Sequence, residues 1–205
     1  MSESSQLIQP SETTEILFEE KRSRFITELL PVDNEQAIKD RISSLKKSHP
    51  KASHVCSAFR IRKDSVISEG FSDDGEPSGT AGMPILKTMR HHNLVNCAVL
   101  ITRYFGGTKL GTGGLQRAYS HAASEAISSL NEDCYTAVVD MQQLELIADF
   151  SEEGILRRLL DEHNAINLTV EYKTAGITIS TGVPKDEAKE VSRIFLAKGF
   201  NCKLK

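Results

Sequence analysis

The stretch RYFGGTKLGTGGLQRAY, Arg103 to Tyr119, holds five of the chain's 13 glycines. On its N-terminal side VNCAVLITRYF (Val95–Phe105) is the most apolar run of the first half and reads as a central strand. On its C-terminal side LQRAYSHAASEAISSL (Leu115–Leu130) places Leu115, Ala118, Tyr119, Ala122, Ala123, Ala126, Ile127 and Leu130 on one broad helical face, leaving Arg117, His121 and Glu125 outside. The glycines therefore form a strand-to-helix connection. Two phosphate-loop patterns fail on it. A Walker loop needs Lys and Ser or Thr where Thr112 and Gly113 stand; the dinucleotide pattern begun by Gly111 and Gly113 meets Gln116 in place of its third glycine. A more general feature survives: Gly111, Thr112, Gly113 and Gly114 precede a helix whose first N–H groups are unpaired and whose dipole favours an anion. The alternative is a tight turn that uses glycine for positive backbone angles.

Upstream of this connection, Thr13–Glu20 and Arg22–Pro31 read as two strands of a hairpin, after a polar N-terminal tail. Asp33–His49 is a helix with acids at its start, basic residues in its last turns and Pro50 beyond. Val55–Ile61 alternates as a strand with Val66–Ser68 as a short partner, and Ile85–Arg90 continues as a helix after the irregular FSDDGEPSGTAGMP. The pattern restarts after Asn131–Asp133, which reads as a linker, so the expected domains are 1–133 and 134–205. In the second, strand Ala137–Ala148, helix Glu152–His163, strands Ile166–Tyr172 and Gly176–Val183, helix Lys185–Lys198 and strand Phe200–Leu204 give the order βαββαβ of a ferredoxin-like domain. The expected class is α+β with two domains.

The 205 residues, 39% hydrophobic and 26% charged, have the composition of an ordinary soluble globular protein. No apolar run reaches the roughly eighteen residues of a membrane span, and the N-terminus lacks the features of a signal peptide, so a cytoplasmic location is expected. Cys56, Cys97, Cys134 and Cys202 are widely spaced with no CxxC pair; neither a zinc site nor a disulfide framework is expected, and no cofactor is called for.

The net charge of −3 conceals an uneven distribution. Pro77–Ser124 contains no Asp or Glu, yet holds Lys87, Arg90, Arg103, Lys109, Arg117, His91, His92 and His121. A locally basic surface of this kind suits nucleic acid; charge scattered in space but clustered in sequence is the alternative. Arg103 with Tyr104 or Phe105, leaving a strand before an open glycine turn, suits holding phosphates and stacking bases, although one of the aromatics must face the core. The expected anion or RNA site is Arg103, Tyr104, Lys109, Gly111, Thr112, Gly113, Gly114 and Arg117. A second motif comprises Asp73, Asp74, Glu76, Ser78 and Thr80. Its acids either hold Mg²⁺ or, as the favoured structural role, cap helices, close Asx turns or pair with an arginine such as Arg103. His91 and His92 point about 100° apart on a helix and do not chelate one metal. His54 and Cys56 share one strand face, either as a buried pair or near an acid–base site with no third group identifiable.

KRSRFI (Lys21–Ile26), FSDDGEPSGTAGMPIL (Phe71–Leu86) and VLITRYFGGTKLGTGGLQRAY (Val99–Tyr119) together resemble the IMPACT family, specifically its short bacterial members of the YigZ type. The resemblance covers nearly the whole chain. It implies a first domain with the β-α-β architecture of a ribosomal small-subunit protein and of the fourth domain of elongation factor G. It further implies a second domain similar to that factor's fifth. Eukaryotic members belong to a translational regulator that restrains an amino-acid-starvation kinase; they carry an additional partner-binding domain, and that link is not carried over. No catalytic residues come with the family. The leading expectation is a cytosolic RNA- or ribosome-binding regulator of translation. One alternative is an enzyme on a phosphorylated small molecule that uses the glycine turn and Mg²⁺. The other is a protein-interaction module with a defined protein partner and no catalysis.

Overall fold

The computed structural model describes residues 6–63 and 66–205, so Met1–Ser5 of the expected polar tail lie outside the described residues. The chain forms two compact units, the first ending at Val138 and the second spanning Val139–Lys205.

The first unit contains strands β1 (Ile8–Pro10), β2 (Thr14–Glu20), β3 (Ser23–Pro31), β4 (His54–Lys63), β5 (Val66–Ser72), β6 (Cys97–Tyr104) and β7 (Tyr135–Ala137), with helices α1 (Glu35–Ser48), α2 (Gly82–His91) and α3 (Thr112–Ser129). Five strands make one sheet in the order β2-β3-β6-β4-β5, antiparallel throughout. The apolar run centred on Val99 becomes the middle strand β6, with seven of its eight residues buried. Helices α2 and α3 cover one face, packing Ile85, Met89, Leu115, Tyr119 and Ala122 on Phe25, Cys56, Val99 and Ile101. Helix α1 covers the other, where Ile38 and Leu45 meet Val55, Ala98 and Leu100. The Asn34 side chain caps α1 by accepting the Ala37 N–H at 2.9 Å.

Three segments differ from the sequence reading. Ile8–Pro10, placed in the polar tail, is a strand paired with Tyr135–Ala137. That pairing keeps residues beyond 133 in the first unit and moves the boundary to Val138. Strand β5 runs on to Ser72, because its pairing with β4 continues through Phe71 opposite Ala58. The expected long strand Ala137–Ala148 is divided between β7 and β8 (Met141–Ala148).

The second unit continues with α4 (Glu153–Glu162), β9 (Ile166–Lys173), β10 (Gly176–Pro184), α5 (Ala188–Ala197) and β11 (Asn201–Leu204). Its antiparallel sheet has the order β11-β8-β10-β9, and the chain order is the βαββαβ read from periodicity. Leu156, Leu160, Val191 and Phe195 from the helices pack on Leu144, Leu146, Ile177 and Ile179.

One glycine holds the working end of the first sheet together. A Cβ built on Gly106 would sit 2.0 Å from the Arg22 carbonyl carbon and 2.4 Å from Ser23 N, so the β2–β3 hairpin lies directly on this turn. Gly106→Ala is expected to destabilise the first unit by about 2–3 kcal/mol through this backbone clash. Gly154→Ala, on α4 with open space around it, is expected to be neutral or to stabilise by up to about 1 kcal/mol. Urea denaturation of the two variants checks both.

Candidate nucleic-acid interface

At the glycine-turn end of the first sheet, Phe25 of β3 and His54 of β4 both lie opposite Arg103 of β6. Laterally paired residues share a face, so all three point toward α2 and α3. Arg103 is 5% exposed and Glu76 7%. Arg103 Nη1 donates to Glu76 Oε1 at 2.5 Å, and the Tyr119 hydroxyl of α3 donates to the same oxygen at 2.7 Å. His54 Nε2 lies 3.8 Å from Glu76 Oε2, and its Nδ1 donates to the Asp74 carbonyl at 2.8 Å. The Cys56 thiol donates to the Asp73 carbonyl at 3.1 Å and lies 3.3 Å from the Tyr119 hydroxyl. Burial pushes the Cys56 thiol up to about 12 and raises the Tyr119 phenol as well. Both stay protonated at neutral pH, which removes Cys56 as a thiolate nucleophile.

The acidic motif is occupied by the same architecture. Asp73 accepts N–H groups of Gly79 at 2.8 Å, Ala81 at 3.0 Å and Gly82 at 2.8 Å. These are donors that would otherwise be unpaired at the start of α2, and their capture starts that helix earlier than the expected Ile85. Asp74 accepts the Val55 N–H at 2.7 Å and pairs with Lys46 at 2.5 Å. Thr80 donates to the Pro77 carbonyl at 2.6 Å, and Ser78 is exposed. The carboxylates thus take the capping and ion-pairing role. Among the described residues, no group of three His, Cys, Asp or Glu is arranged to hold a metal ion.

The expected anion-binding residues separate into three places. Arg103 lies inside the protein against Glu76, so its charge is not presented at the surface. Tyr104 points to the opposite sheet face, where its hydroxyl is hydrogen-bonded to His49 Nδ1 at 2.8 Å. Alternation along β6 therefore prevents Arg103 and Tyr104 from acting as one stacking and phosphate-holding pair. Gly111, Thr112, Gly113, Gly114 and Arg117 stay together at the start of α3, with Lys109 exposed on the preceding loop. Gly111 is the N-cap with φ of 73°, and no side chain caps the helix. Backbone donors of the first turn are left for solvent or a ligand.

Beside this turn an open groove of about 620 Å³ runs between α2 and α3. Lys87 and His91 line it from α2 and His92 from the residue that ends the helix, while Gly113, Arg117 and His121 line it from α3. Residues four apart stack along a helix, which aligns Lys87 with His91 and Gly113 with Arg117 and His121. Among the described residues, no carboxylate lines the groove. Lys87 and Arg117 form no ion pair with a described residue, whereas Arg90 is held by Glu69. His121 Nε2 lies 3.1 Å from Glu125. Burial, then the neighbouring His91, lower the His92 pKa, so this imidazole is neutral at pH 7. The sequence reading had Lys87, His91, His92 and His121 in its acid-free window but not in its site; their four-residue spacing was the available signal.

Fold and groove together define an α+β protein of antiparallel sheets whose first unit carries an acid-free, cationic groove. The chain belongs to the IMPACT family: residues 21–127 match the Impact N-terminal domain. It is 37% identical over 184 residues to the family member YigZ of Escherichia coli (strain K12), covering 89% of this chain and 88% of that one. It is 35% identical over 175 residues to the family member YvyE of Bacillus subtilis (strain 168), covering 84% and 77%. The crystal structure of a hypothetical protein matches 97% of this chain and 96% of its own, with a TM-score of 0.68 and 28% identity. No helix among the described residues is long and apolar enough to cross a membrane.

Two outcomes follow from the buried cluster. Glu76→Gln leaves Arg103 buried without a countercharge and is expected to cost about 3–5 kcal/mol, read by denaturation of the first unit. The second concerns alkaline pH. Cys56 and Cys97 are both raised by burial to about 12. The folded chain keeps protons that the unfolded chain loses above about pH 8.5. Stability is therefore fully present below that value and falls as pH rises toward 12, by up to about 1.4 kcal/mol per pH unit for each thiol. Replacing both cysteines by alanine is expected to make the fall shallower.

Proposed function

We propose that this protein binds the phosphate backbone of RNA, free or within the ribosome, through the α2–α3 groove and so acts in the regulation of translation. The observation that carries the reading is the groove itself: Lys87 and Arg117, neither ion-paired with a described residue, three histidines and no carboxylate among the described lining residues, beside the start of α3 that no side chain caps. On a chain of net charge −3, the two cations Lys87 and Arg117, with no described carboxylate in the groove beside them, form a surface suited to a polyanion. The motifs' resemblance to the IMPACT family implies a similarity of the two domains to the fourth and fifth domains of elongation factor G, a pairing that makes contact with the ribosome or structured RNA a reasonable function.

The enzyme reading draws less support. It needs a cavity where the glycine turn and the acidic motif meet, and there Arg103 and Glu76 are packed against each other at 5% and 7% exposure. For the protein-interaction reading there is half-exposed Phe105 at the glycine turn, but none of the described exposed large apolar side chains lines the groove.

The test is fluorescence anisotropy with RNA across a salt series. Binding is expected to weaken linearly in log–log form, and Lys87→Glu with Arg117→Glu to abolish it. Neutralising each cation singly should lower the salt slope by about 1. Binding that ignores salt, or that survives the double variant, overturns the proposal. Arg103 is left unchanged, because replacing it tests the fold rather than the interface.

A further inference from the structure

Arg117 stands between the groove and a second, smaller hollow of about 260 Å³. The floor of this hollow is apolar, made by Phe18, Leu110 and Ala118. Its rim carries Lys21, Arg117, His121 and Glu20. The Phe18 ring meets the His121 ring edge-on at 78°, with centroids 4.7 Å apart. The rim is held firmly: Lys21 and Arg22 take the positive φ angles of a tight hairpin, 47° and 66°, and the Arg22 backbone is seated on Gly106. The hairpin tip is thereby fixed beside the first turn of α3.

The chemistry of this hollow differs from that of the groove. A phosphate gains nothing from an apolar floor and is repelled by Glu20. A flat heteroaromatic ring gains from both, because its face lies on Phe18 and its edge offers amino donors to the Glu20 carboxylate and acceptors to Lys21. The volume is below the roughly 300–1,000 Å³ of a site that encloses a whole small molecule. It suits one part of a ligand whose remainder lies elsewhere.

We propose that the hollow receives one unpaired nucleobase of a single-stranded RNA whose backbone runs through the α2–α3 groove, with Arg117 holding the phosphate between them. This rests on the RNA-binding reading of the groove and narrows its substrate to unpaired strands. A base inside a duplex presents neither its face nor its pairing edge, and so is excluded.

The experiment compares a short unstructured RNA, the same strand annealed to its complement, and AMP, by anisotropy or competition. The single strand is expected to bind roughly tenfold more tightly than the duplex, the effect of one stacked base. Phe18→Leu, which keeps apolar bulk and removes the ring, should lose that advantage while duplex binding stays unchanged. Leu110→Trp, closing the hollow from its half-buried wall, should do the same and serves if the first variant folds poorly. Equal affinity for single and double strands, retention of the preference in both variants, or AMP binding as tightly as the single strand overturns the proposal. If that happens while Lys87→Glu with Arg117→Glu still abolishes RNA binding, the groove reading stands; if the double variant binds normally, the groove reading itself has failed.

Discussion

A guanidinium withdrawn from water has to be met by a carboxylate and by enough hydrogen bonds to replace its hydration. Arg103 is so withdrawn, and the end of the first unit is organised around its two terminal nitrogens, while its Nε has no hydrogen-bond partner among the described residues. Glu76 supplies the carboxylate, Tyr119 donates to the same oxygen, and Ser23 lies 3.3 Å from the second guanidinium nitrogen. The guanidinium is also stacked over the Phe25 ring, 5.4 Å from its centroid. These contacts join strand β3, the acidic loop and helix α3 to the central strand. The acidic motif and the arginine before the glycine turn, whose pairing is one of the structural roles expected from the sequence, are thus the two halves of one buried ion pair.

That pair decides which charges remain for function. Of the cations in the acid-free window, Arg103 is consumed internally and Arg90 is tied to Glu69, which also holds Arg60. Lys87, Lys109 and Arg117 form no ion pair with a described residue, and α3 brings Arg117 to the boundary between the groove and the hollow. The loop acids contribute indirectly. By capping α2, Asp73 fixes the helix that carries Lys87, His91 and His92, and by closing on β4, Asp74 fixes the loop that carries Glu76. Carboxylates set behind the surface position cations in front of it.

Much of the fold was legible because its signals are local. The helix near Asp33–His49 announces itself by a capping asparagine, a first-turn acid and terminal lysines; the middle strand by an unbroken apolar run; the second unit by alternating periods in the order βαββαβ. The misread segments lack such signals. A three-residue strand such as Ile8–Pro10 is held by partners distant in sequence, Tyr135–Ala137 along its length and Leu94 at Ile8. The start of α2 was placed late because its cap, Asp73, lies nine residues before Gly82 rather than at the adjacent position.

The sequence alone determined most of the secondary elements and their order, the family resemblance and the presence of an acid-free basic window, since each depends on residues within one short stretch of chain. Only the tertiary structure decided which of those basic residues are available. Arg103 and Lys87 are equivalent as letters, but one lies on the covered face of a central strand and the other on the exposed side of a helix. The carboxylate that neutralises Arg103 is 27 residues away in the chain, and the hydroxyl that accepts from its second terminal nitrogen is 80 residues away. Charge pairing is a matter of distance in space, and in an antiparallel sheet crossed by helices that distance bears no relation to separation in sequence.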